Sequence, residues 1–93
     1  MSRIDRIRER LQGALAPTQL VVTDDSHLHA GHEGARDGRG HFSVKITSGA
    51  FAGKPLLSRH RAIYAALGEM MVEDIHALSI EALAPGESQA SAG

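Results

Sequence analysis

Ninety-three residues, 42% of them hydrophobic, with ten Lys and Arg against eleven Asp and Glu for a formal charge of −1, describe one small domain and leave no room for a multidomain enzyme. Cys is absent, so disulfides, thiol nucleophiles and a self-contained Cys-ligated zinc or iron–sulfur site are excluded, and metal chemistry must use His, Asp and Glu or borrow sulfur from a partner. The balanced charge lacks the Lys and Arg excess of a dedicated nucleic-acid binder, no run approaches the roughly 18 apolar residues of a membrane span, and the opening MSRIDRIRERL has no signal-peptide pattern, so a cytoplasmic location is expected.

Residues 3–16 space Ile4, Ile7, Leu11 and Leu15 by three and four, with arginines between them, which predicts an amphipathic helix stopped by Pro17. Thr18 to Thr23, centred on Leu20, Val21 and Val22, suits a short strand. Residues 27–40 (HLHAGHEGARDGRG) hold four Gly and no apolar period, the signature of a long loop. Phe42, Val44 and Ile46 then alternate with Ser43, Lys45 and Thr47, a strand with one buried face. After a turn bracketed by Ser48-Gly49 and Ala52-Gly53, Pro55 suits a helix start, and Ser58 to Met71 carries Ile63, Leu67, Met70 and Met71 at helical spacing. Ile75 to Leu83 reads as a third strand. From Ala84 the chain has no large apolar side chain, so residues 86–93 are expected to form a disordered tail whose removal is neutral, beyond a domain spanning 1–85. The order helix, strand, strand, helix, strand predicts an α+β domain: an antiparallel pair, a parallel crossover, and a three-stranded mixed sheet with helices on one face.

The segments DSHLHAGH (Asp25 to His32), GHFSVKI (Gly40 to Ile46), SGAFAGKPLLSRHRAIYAAL (Ser48 to Leu67) and IHALSIEALAP (Ile75 to Pro85) resemble the BolA family over nearly the whole chain. The ordered set Phe51-x-Gly53, Arg59-His60-Arg61 with Tyr64, and His76-Ala77-Leu78 carries most of that resemblance. It implies a class II KH-like fold and a non-enzymatic adaptor that joins a monothiol glutaredoxin and shares a bridging 2Fe-2S cluster, in iron–sulfur trafficking or iron sensing. It also implies that His76 is a metal ligand and that the second ligand falls most naturally on His29, with His32 and His27 as alternatives. The missing sulfur would come from the glutaredoxin and a bound glutathione, so the isolated chain is expected to be a colourless monomer.

Each of these groups has a plainer reading. His27, His29 and His32, with His41 beyond them, are on a Gly-rich loop that gives no rigid frame for a private zinc site, and exposed loop imidazoles often bind nothing. Two imidazoles on one iron have a precedent in Rieske centres, which favours a ligand role. Lys54, Arg59 and Arg61 form a basic cluster near a helix start that can contact an acidic partner or DNA, or simply be solvated. Family members that act as DNA-binding transcriptional regulators make the helix from Arg59 to Tyr64 the alternative functional element. Gly49-Ala50-Phe51-Ala52-Gly53 is one residue too long for the GXXG clamp of RNA-binding KH domains.

Overall fold

A computed structural model of the chain describes residues 2–26 and 38–87. Helix α1 spans Arg3–Leu15, strand β1 Gln19–Asp24, strand β2 Gly40–Thr47, helix α2 Leu56–Leu67, helix α3 Met70–Glu73 and strand β3 Ile75–Leu83; a 3₁₀ turn at Gly49–Phe51 precedes α2. Ser2 and Asp5 close a capping box on α1, which ends with Ala16 in the left-handed region (φ 44°) just before Pro17. The sheet order is β1-β2-β3, with β1 antiparallel and β3 parallel to β2. This is the mixed three-stranded α+β architecture that the element order predicts.

Alternation decides which side of the sheet is covered. Phe42, Val44 and Ile46 are buried on β2, and the helices lay Ile7, Leu11, Ile63, Leu67 and Met70 against them. His41, Ser43, Lys45 and Thr47 take the opposite, open face. A shallow depression of about 390 Å³ on that side is lined by Val21, Thr23, Ser43, Lys45, Ser79 and Glu81 among others, with Lys45 and Glu81 3.8 Å apart.

The helix predicted through Met71 divides in two. The apolar period continues across Gly68, but Gly68 takes φ 54° and its N–H closes on the Tyr64 carbonyl, so α2 stops there and α3 is a separate turn. Arg10 Nη1 donates to the Leu67 carbonyl beside this break. Both outer strands are also met by arginines: Arg8 Nη1 donates to the Leu20 carbonyl of β1 at 3.2 Å, and Arg59 Nη1 to the Ala82 carbonyl of β3 at 3.0 Å.

The tail reading needs correction at its first residues. Glu87 holds Arg59 through two bonds, Nη1 to Oε1 at 2.6 Å and Nη2 to Oε2 at 2.9 Å, and accepts the Ala84 N–H at 2.9 Å. Composition hides this because the attachment is one bidentate ion pair, with no apolar burial to reveal it. Residues 88–93 lie outside the described residues. No helix among the described residues is long and apolar enough to cross a membrane.

Candidate metal centre

The site grows from the place where β3 begins beside β2. Gly40 pairs with Ile75, but His41 pairs with Ala77, so a bulge at this step leaves His76 as the extra residue. The side chain of His76 is exposed, and its ring lies 5.1 Å, centroid to centroid, from the half-buried ring of His41, tilted by 48°. Strand register thus joins two imidazoles that are thirty-five positions apart in sequence.

The backbone around the pair is tied from several directions. Ser26 Oγ accepts the His41 N–H at 3.1 Å, and the His41 carbonyl accepts the Asp25 N–H at 2.8 Å. The Gly40 N–H donates to the Asp74 carbonyl at 2.9 Å, while the buried Asp74 carboxylate meets Arg3 Nε at 3.3 Å and Arg6 Nη2 at 3.1 Å. Arg3 also donates from Nη2 to the Gly38 carbonyl at 2.6 Å. Helix α1 therefore fastens the approach to β2 and the approach to β3 with the same side chain.

Gly40 is required by close packing. A Cβ there would lie 2.7 and 2.8 Å from the Phe42 ring and 2.9 Å from Ser26 Oγ. Ser43 Oγ hydrogen-bonds Asp25 Oδ2 one step along the open face. Arg39, just ahead of β2, brings Nη2 to 3.1 Å from His76 Nδ1.

His27, His29 and His32 lie outside the described residues. The described ends of their segment, Ser26 and Gly38, are fixed beside the His41 and His76 pair by the bonds above. Among the described residues no three His, Asp or Glu side chains converge to hold a metal ion, and the chain offers nitrogen without thiolate. The two described imidazoles alone are fewer than the four ligands of a closed structural zinc site.

The basic cluster does not form one surface. Lys54 and Arg61 are exposed, but Arg59 is only 7% exposed and turned inward, with Nε on the Lys54 carbonyl at 2.8 Å, Nη1 on the Ala82 carbonyl and Glu87, and Nη2 on Glu87. In the sequence Arg59 reads as a contact residue because it lies in a basic cluster near a helix start. The structure makes it an internal fastener. His41 was the opposite case, visible as the polar-face residue opening β2 yet unplaced, because its proximity to His76 depends on the β2–β3 register and its bulge.

A three-stranded mixed sheet with helices on one face, and two imidazoles side by side where the last strand begins, defines a small α+β domain. The profile of the family described as BolA-like protein matches residues 11–87, and the chain belongs to that family. It is 46% identical over 90 residues to Protein BOLA1, chloroplastic, of Arabidopsis thaliana, an alignment covering 94% of this chain and 56% of that one, so it spans little more than half of that relative's length. It is 38% identical over 76 residues to the DNA-binding transcriptional regulator BolA of Escherichia coli strain K12, covering 82% and 70%. The solved BolA domain of SufE1 from Arabidopsis thaliana superposes with a TM-score of 0.82 at 46% identity, covering 95% of this chain and 98% of the other.

Proposed function

We propose that this chain is an adaptor that pairs with a monothiol glutaredoxin and supplies imidazole nitrogen to a 2Fe-2S cluster held between them, in cluster trafficking or iron sensing. The observation that carries the reading is the His76 ring, exposed at a bulge on a strand fixed by Asp74, with the His41 ring 5.1 Å away. The second nitrogen comes from His29, with His32, His27 and the neighbouring His41 as alternatives. The cluster supplies iron centres whose affinity for mixed nitrogen and sulfur ligation matches a partner thiolate and glutathione on one side and imidazole on the other. This chain's residues orient the rings, and its lack of Cys leaves every sulfur ligand to the partner, so alone it is a monomer without cluster.

Mixing the protein with a cluster-loaded monothiol glutaredoxin tests the reading by visible absorption and circular dichroism. A spectrum distinct from that of the glutaredoxin alone is expected, and His76→Ala abolishes it. His29→Ala weakens it, with partial replacement by His27 or His32; equal loss from both variants would give the two residues equal weight. An unaltered spectrum with His76→Ala would refute the assignment.

A second reading is favoured by the E. coli relative, a DNA-binding transcriptional regulator. Here the exposed Lys54 and Arg61 would contact phosphate, without Arg59. Duplex DNA titrations at rising salt separate the readings, since phosphate contacts lose affinity steeply as salt increases.

A further inference from the structure

Arg39 Nη2 lies 3.1 Å from His76 Nδ1, and the direction of that bond is fixed by chemistry. A guanidinium has N–H donors and no acceptor, so Arg39 donates and the Nδ1 lone pair accepts. A neutral imidazole accepting at Nδ1 carries its proton on Nε2. A metal approaching Nδ1 then needs the lone pair that Arg39 already occupies. One approaching Nε2 needs the ring proton moved to Nδ1, where an N–H would face an N–H of Arg39. Coordination by the neutral ring and the Arg39 bond are mutually exclusive at either nitrogen.

Building on the adaptor reading above, we propose that Arg39 is a latch on His76: it occupies the ring in the metal-free protein and swings off before the ring accepts a metal. The fold delivers Arg39 to this task. The Gly38 carbonyl is held by Arg3 and the Gly40 N–H by the Asp74 carbonyl, so the backbone on both sides of Arg39 is fixed beside the start of β3. The bond is exposed, which keeps its opening inexpensive and makes the latch a modest filter against weakly held ions. Arg39 is thus a positioning residue that sets the ring's tautomer and the threshold for its use.

The test uses the full chain, long-range nitrogen–proton NMR correlations of the His76 ring, and zinc alone as the probe. The zinc-free protein is expected to show His76 with its proton on Nε2. Arg39→Met relaxes that preference, and zinc affinity read at the His76 nitrogens tightens about threefold to tenfold, the range for losing one competing hydrogen bond. Arg39→Gln, a neutral donor, retains part of the tautomer preference and so separates the bond from the charge. A wild-type ring protonated on Nδ1, equal zinc affinity in wild type and Arg39→Met, or His76 nitrogens unmoved by zinc in both would each overturn the latch. No arm contains glutaredoxin, so an absent mixed spectrum counts against the adaptor reading alone.

Discussion

The two ends of β3 use polar side chains in contrasting ways. At its start His76 stands exposed at a bulge, against His41 and Arg39, in a region whose fixed parts are backbone groups and the Asp74 ion pairs. Near its other end Arg59 is enclosed, with its donors spent on two carbonyls and one carboxylate. Both residues stand out in the sequence, Arg59 in the run Arg59-His60-Arg61 and His76 through the family resemblance of His76-Ala77-Leu78. Solvent access separates them: an exposed hydrogen bond between a ring and a neighbouring guanidinium opens at little cost, whereas a buried guanidinium bonded to two carbonyls and a carboxylate holds segments together.

Substitutions that exchange effect between the ends test this contrast. His76→Ala should produce the largest functional change, complete loss of the mixed cluster spectrum, while altering stability by no more than about 0.5 kcal/mol in urea melts, because the ring is exposed. Arg59→Met should reverse the pattern. It leaves the Ala82 and Lys54 carbonyls and Glu87 without their donor, and a loss of about 2–3 kcal/mol is expected, with the spectrum retained by whatever protein remains folded.

Gly40→Ala probes the seam between the regions. Its Cβ would meet the Phe42 ring and Ser26 Oγ, so a loss of about 1–3 kcal/mol in denaturant unfolding is expected, together with displaced His41 and His76 ring signals in NMR spectra. Displacement without destabilisation would show that the ring pair is softer than its backbone ties suggest.

The smallest expected effect is a pH dependence at the Arg59 end. Hydrogen bonds from Arg59, and then the Ala84 N–H, hold the Glu87 carboxyl down at about 2. A carboxyl lowered in the folded state contributes stability above its ordinary titration range and loses it as pH falls toward the folded value. The melting-temperature gap between wild type and Glu87→Gln should therefore be full at neutral pH and close between about pH 5 and pH 2. A gap independent of pH would mean that the carboxylate charge contributes nothing. Truncation before Glu87 should reproduce the neutral-pH loss.

Sequence alone reveals β2 and β3 because alternation is a local signal, and Phe42, Val44 and Ile46 point to the covered face unaided. It reveals α1 because Pro17 ends a clear period. It misses the break at Gly68, since Met70 and Met71 keep the apolar spacing while the backbone turns left-handed. It also misses the fate of Arg59, whose partner is twenty-eight residues away in a stretch without large apolar side chains. The candidate centre is half legible: His76 stands out by resemblance to its family, but His41 and Arg39 become its neighbours only through a parallel register with a bulge, which no single segment encodes.

The arginine bonds to Leu20 and Ala82 have a further consequence for life in a crowded solution. A three-stranded sheet presents two outer strands, and bare main-chain groups on such strands recruit further strands from neighbouring molecules. Arg8 and Arg59 each fill one of those acceptors with a side chain rooted in a helix, so a passing chain meets a guanidinium where it would need a carbonyl. The same residues that brace the domain thus guard it against stacking edge to edge into aggregates.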